Sequence, residues 1–104
     1  MRLVFCSGQL GVAPDDSVPE TVEEQTELCF KNIAAVLREA DMTMADVVKL
    51  TGYVTSRIHL FGYMGVRDRH VSNPLPASTL VIVSGFTRPE FLVEVEAIAA
   101  APVR

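Results

Sequence analysis

Pro74-Leu75-Pro76-Ala77-Ser78-Thr79-Leu80-Val81-Ile82-Val83-Ser84, then a turn, then Phe91-Leu92-Val93-Glu94-Val95-Glu96-Ala97-Ile98-Ala99-Ala100: this stretch decides how the chain is read. Two runs rich in β-branched and apolar residues flank Thr87-Arg88-Pro89-Glu90, which predicts two strands joined as a hairpin or by a tight connection. Residues two apart on a strand point the same way, about 6.5–7 Å apart. Phe91, Val93, Val95, Ala97 and Ala99 therefore form an apolar face, and Leu92, Glu94, Glu96 and Ile98 form the other. The first face needs a core. The second carries two carboxylates into the sheet and needs something to meet them.

Working back from that pair, Leu60, Phe61, Met64 and Val71 return to helical spacing around 59–72, and Asn73-Pro74 ends the helix. Gly62 and Gly65 weaken it by about 1 kcal/mol each relative to Ala. Val47 to Thr55 reads as a strand, with Val48, Leu50 and Val54 opposed to Lys49, Thr51, Tyr53 and Thr55. Thr43-Met44-Ala45-Asp46 has the spacing of a capped single turn. Thr21-Val22-Glu23-Glu24 has the same capping spacing, and Val22, Thr26, Cys29, Ile33, Val36 and Ala40 mark one face of a helix over 21–40, widened by Phe30 and Leu37. Leu3-Val4-Phe5-Cys6 is a short buried-strand candidate. The glycines of Ser7-Gly8-Gln9-Leu10-Gly11 after it permit a bulge or a close backbone approach. The order β–α–β–α–β–β, with both helices on one face of the sheet, predicts a single α+β two-layer sandwich over 1–104.

Such a sandwich leaves one sheet face bare, and that face carries Glu94 and Glu96. A hydrophobic fraction of 49% and a mean hydropathy of +0.29 in 104 residues are high for a small monomer, so other subunits are the economical cover. A formal net charge of −4 argues against nucleic acid as the main partner. No apolar run approaches the ~20 residues that span a bilayer, and Met1 to Cys6 does not read as a signal peptide, so a cytoplasmic protein without a membrane partner is expected. Two cysteines, Cys6 and Cys29, are too few for a disulfide scaffold.

Ser7-Gly8-Gln9-Leu10-Gly11, Gln25-Thr26, Asn32-Ile33, Val36-Leu37, Asp46-Val47-Val48-Lys49, Tyr53-Val54-Thr55, Pro76-Ala77 and Val93-Glu94-Val95-Glu96-Ala97-Ile98-Ala99 together resemble the YjgF/RidA family, also known as reactive intermediate/imine deaminases and as L-PSP endoribonuclease-like proteins. The resemblance covers residues 3 to 100. It implies a chorismate-mutase-like fold, a homotrimer whose sheets form a central barrel, and small-molecule clefts between subunits. It also implies hydrolysis of enamines and imines such as 2-aminoacrylate to 2-oxo acids and ammonia, with no metal or organic cofactor. In that chemistry an arginine clamps the substrate carboxylate and a glutamate positions or activates water.

The match is uneven. Glu94 falls on the family's water-positioning glutamate, and Ser7, Gly8 and Gln9 on the segment whose backbone lines the cleft. Ser78, with Thr79 beside it, stands where the arginine after Pro-Ala belongs; Leu80 replaces a frequent cysteine, and Gly65 replaces the asparagine of the second helix. The family's first strand, with its Pro-Tyr-Ser-Gln segment, has no counterpart here. The implied site is thus catalytic Glu94 and Ser78, with Ser7, Gly8, Gln9, Thr79 and Gly65 around the substrate. A hydroxyl offers one donor where a guanidinium offers several and a charge. That loss predicts 2-aminoacrylate turnover at least about ten- to a hundredfold below the family's, unless Arg67, Arg69 or Arg88 substitutes.

Other readings stay open beside this one. Glu94 and Glu96 suit an acid/base pair or ion-pairing residues at a subunit seam. Cys6 suits a reactive thiol near the cleft or a buried small hydrophobe. His59 and His70 lack acid or Cys partners at ligand spacing, so no metal site is expected. The functional alternatives are a ligand-binding or regulatory trimer without catalysis and, disfavoured by the acidic balance, a ribonuclease or translation inhibitor.

Overall fold

In the computed structural model, which describes residues 1–104, the closing strand lies inside the sheet. The strands are β1 (Arg2–Leu10), β2 (Val47–Val54), β3 (Ala77–Ile82) and β4 (Val93–Ala101), and the helices are α1 (Val22–Glu39) and α2 (Leu60–His70). The sheet order is β1-β4-β2-β3; β4 runs antiparallel to both neighbours, and β2 and β3 are parallel. This is the expected α+β layering of two helices on one face of a mixed sheet.

The connection between the last two strands is not a hairpin, because β2 lies between them. Chain order and packing explain the difference. From β2 the chain returns through α2 and sets β3 down parallel on the outer side of β2. The slot between β1 and β2 needs a strand whose core side is wholly apolar. β4 meets that need, with Val93, Val95, Ala97, Ala99 and Ala101 buried, whereas β3 is largely exposed and suits an edge.

Local chemistry sets the other elements. The Thr21 hydroxyl accepts the Glu24 N–H at 3.1 Å and opens α1. The buried stripe of α1 is Val22, Gln25, Thr26, Cys29, Phe30, Ile33 and Leu37; Val36, expected inside, is exposed because the stripe closes on Leu37. In β2 the register against β4 slips between Val47 and Lys49, so Val47 is buried and Val48, expected on the inner face, points out, while Leu50 and Val54 are buried as expected. In β1, Cys6 is buried, whereas Leu3 and Phe5, expected in a buried strand, lie 56% and 71% exposed on the bare face. The register of β1 also breaks between Cys6 and Gln9, so Ser7-Gly8 forms a bulge within the strand.

The core fills the space between helices and sheet: Cys29, Phe30, Ile33 and Leu37 from α1, Tyr63 and Val66 from α2, and Leu50, Val54, Val93 and Val95 from the sheet. By strand alternation the other face presents Leu3, Phe5, Lys49, Thr51, Tyr53, Thr79, Glu94, Glu96 and Ile98, with nothing from the same chain packed over it. No helix is long and apolar enough to cross a membrane.

Candidate functional site

Glu94 stands on the bare face, paired with Leu10 of β1 and Tyr53 of β2. The bulge brings Gly8 against it. A Cβ at residue 8 would lie 2.4 Å from Glu94 Oε1 and 2.5 Å from its Cδ, so a side chain there would occupy the space of the carboxylate. Burial raises the pKa of Glu94, and the charge of Glu96 raises it further. The neighbouring acid is tied down, since the Tyr53 hydroxyl donates to Glu96 Oε1 at 2.6 Å, a bond that also raises the Tyr53 pKa. The two carboxylates therefore differ: Glu96 is held, and Glu94 is free of hydrogen bonds within the chain.

The bulge is held from the core side. Gln9 and Leu10, which resume pairing with β4 just past it, accept from side chains of α1. The Cys29 thiol donates to the Gln9 carbonyl at 3.1 Å, and Asn32 Nδ2 donates to that of Leu10 at 3.3 Å. Gln9 Nε2 closes the bulge on the Ser7 carbonyl at 2.9 Å. Burial first, and the Glu94 charge second, push the Cys29 thiol up to about 12, so its proton stays in place. Cys6 is also buried with a raised pKa, as expected for a small core hydrophobe.

Gln25 is a positioning residue that its sequence context gave little reason to single out. Its Nε2 donates to the carbonyls of Pro19 and Glu90 at 2.8 and 2.9 Å, and its Oε1 accepts from Leu92 N–H at 2.8 Å. It thereby fixes the start of β4 two residues before Glu94. The available signal was a glutamine beside the apolar stripe of an amphipathic helix, a placement that requires polar partners.

Ser78 lies elsewhere. It pairs with Leu50 and shares the core side of the sheet, opposite the face of Glu94, so one chain does not bring the two together. Arg67 of α2 donates from Nη1 to Ser78 Oγ at 3.3 Å, while its Nε and Nη2 reach Asp68 Oδ1 at 3.1 and 2.9 Å. Arg69 and His70 instead hold Glu27 at 3.1 and 2.8 Å, with the His70 ring stacked on Phe30. Arg88 pairs with Glu90 and Asp16 and lies over Phe91. Of the three arginines, Arg67 alone reaches Ser78. Thr79 turns to the bare face and accepts from Lys49 Nζ. Gly65 sits on the exposed side of α2, where a Cβ would meet nothing within 4 Å.

Two hollows accompany these groups. One of about 320 Å³ lies on the bare face, where Ser7, Lys49, Thr51 and Glu96 are its polar lining beside Phe5 and Ile98. The other, about 110 Å³, is lined by Arg67, Asp68, Val71, Leu75, Pro76 and Ser78. No three His, Cys, Asp or Glu side chains converge as metal ligands.

Comparison with known proteins gives a consistent picture. A family model described as Endoribonuclease L-PSP matches residues 1–101. The mitochondrial protein mmf2 of Schizosaccharomyces pombe is 37% identical over 79 residues, which is 76% of this chain and 63% of mmf2, so the match spans less than two thirds of that relative. Among solved structures, RidA from the Antarctic bacterium Psychrobacter sp. PAMC 21119 superposes with a TM-score of 0.89 at 31% identity, covering 95% of this chain and 80% of that one. Escherichia coli TdcF, solved with bound serine, superposes with a TM-score of 0.87 at 27% identity, covering 96% and 81%.

Proposed function

From the premise that this chain belongs to the endoribonuclease L-PSP family, the YjgF/RidA proteins, we propose that it is a hydrolase of small imines and enamines, releasing ammonia and a 2-oxo acid. The observation that carries this reading is the state of Glu94: a carboxylate set against Gly8, without a hydrogen-bond partner, its pKa raised by burial and by Glu96. A carboxylate poised upward from its ordinary range exchanges protons more readily near neutral pH. In the proposed reaction Glu94 takes a proton as a water oxygen attacks the imine carbon. Returning that proton to nitrogen lets the C–N bond break, so imine plus water gives ketone plus ammonia.

The reading requires more than one chain. Glu94 and Ser78 face opposite sides of the sheet, and both the edge of β3 and the Glu94 face are bare. A homotrimer in which the β3 edge of one protomer meets the Glu94 face of the next covers both and sets a cleft between them. TdcF, solved with serine, shows that a relative with this fold binds a small amino acid. The expected particle is a trimer by sedimentation at micromolar concentration, and a monomer there rules out the intersubunit cleft. Ligand binding without turnover is a second reading, favoured by Ser78 standing in the family arginine's place. Ammonia release from freshly generated imino acids separates the two.

A further inference from the structure

We infer that the smaller hollow, beside the start of β3, is a carboxylate-binding site in which Arg67 supplies the guanidinium and Ser78 a hydroxyl donor. The inference rests on the deaminase reading only for the identity of the ligand. Its geometry comes from the chain itself.

A guanidinium carries five N–H donors. Three of those of Arg67 are engaged, two with Asp68 and one with Ser78. Two remain, one on each terminal nitrogen, which is the edge that matches a planar carboxylate. The Arg67 side chain is only 20% exposed, so its charge is not simply dissolved in water, whereas its partner Asp68 is 62% exposed and free to turn away. Ser78 Oγ accepts from Arg67, which leaves the Ser78 proton to donate to a ligand.

A second observation points to the same place. The Tyr63 hydroxyl is fully buried and makes no hydrogen bond of acceptable geometry. Burial pushes its pKa up to about 12, while Arg67 and Ser78 act on it in the opposite sense, so both lie close by. A buried phenol without a partner is costly. A ligand that draws the Ser78 proton outward turns the Ser78 lone pairs back toward the protein, where the Tyr63 hydroxyl can donate to one of them. Val71, Leu75 and Pro76 supply apolar walls for a short carbon chain. A volume near 110 Å³ suits the acid end of a small 2-oxo or imino acid rather than a nucleotide. Arg67 thus takes over, from a helix, the task of the arginine missing at residue 78.

Pyruvate, an unreactive stand-in for the acid end, tests the site by NMR titration of the intact protein. Wild type is expected to bind saturably with shifts at Arg67 and Ser78. Arg67→Gln should bind about ten- to a hundredfold more weakly, the usual worth of hydrogen bonds to a charged group. Arg67→Lys should retain part of the affinity, and Arg67→Gln combined with Ser78→Arg should recover it, which a merely structural role for Arg67 would not produce. No saturable shift in wild type, or equal affinity in Arg67→Gln, overturns the site. Inorganic phosphate displacing pyruvate at equal concentration overturns the carboxylate assignment. Arg67-dependent binding without ammonia release supports the site and removes the deaminase reading; ammonia release indifferent to Arg67→Gln does the reverse.

Discussion

Gly8→Ala perturbs the proposed chemistry while adding one methyl group. An added Cβ falls 2.4 Å from Glu94 Oε1, 2.5 Å from Cδ and 2.9 Å from Cγ. Ordinary carbon contacts begin near 3.5 Å, so the carboxylate must retreat by about 1 Å. These three nearest atoms all belong to the Glu94 side chain, which ends in a carboxylate without hydrogen bonds to break. The fold should therefore absorb the change at about 1–3 kcal/mol, as for overpacking elsewhere. Catalysis should not, because a misplacement of ~1 Å costs on the order of a hundredfold. Melting and ammonia release from enzymatically generated imino acids are measured on the same sample. The expected result is a folded protein with kcat/KM down about a hundredfold. A folded Gly8→Ala variant with wild-type kcat/KM would refute the placement of Glu94 at the reacting atoms.

The other glycines separate packing from propensity. Gly52→Ala drives a Cβ to 2.6 Å from the Tyr63 ring, which is locked in the core, and should lower stability by about 1–3 kcal/mol in chemical denaturation. Gly65→Ala meets nothing and should raise it by about 1 kcal/mol through helix propensity. The Glu27 carboxylate is held low by its hydrogen bond from His70, with Arg69 adding to the effect. That contribution is present above the unfolded pKa near 4.5 and is lost as pH falls through the lower folded value. Glu27→Gln should therefore cost ~1 kcal/mol or less near neutrality, and the gap to wild type should close in acid melts. Cys6 and Cys29 are both buried with raised pKa values, so iodoacetamide at mildly alkaline pH should label neither thiol until the protein is unfolded, as read by mass spectrometry.

Where periodicity had one dominant cause, the sequence was a sufficient guide. The cap at Thr21, the stripe of α1 and the alternation of β4 each follow from one burial direction. Where a single extra residue changed the register, the pattern misled: Val48 sits at the slip in β2 and points out, though its β-branched neighbours suggested the core. The apolar run Leu80-Val81-Ile82 suggested a hairpin partner for β4, but pairing depends on where α2 returns the chain, which no local window contains. The same limit left Arg67 one of three candidates. Its separation of eleven residues from Ser78 is bridged by the α2–β3 turn, so Arg67, Arg69 and Arg88 looked equivalent until their partners were seen. Gln25 was hidden differently, since its three backbone partners come from two remote loops and the start of β4.

The raised pKa of Glu94 also fixes the pH behaviour of the site. An acid whose folded pKa lies above its unfolded value stabilises the fold below about 4.5 and loses that contribution as pH rises through the folded pKa. Glu94→Gln removes the ionisation, so its melting temperature should exceed that of wild type at neutral pH and converge with it in acid. The most direct test is to measure, on that same variant, ammonia release from freshly generated imino acids. The wild-type protein should accelerate release and the folded Glu94→Gln variant should lose about a hundredfold or more, the usual scale of a lost general acid/base. Equal rates from the two would contradict the proposal that Glu94 handles the water.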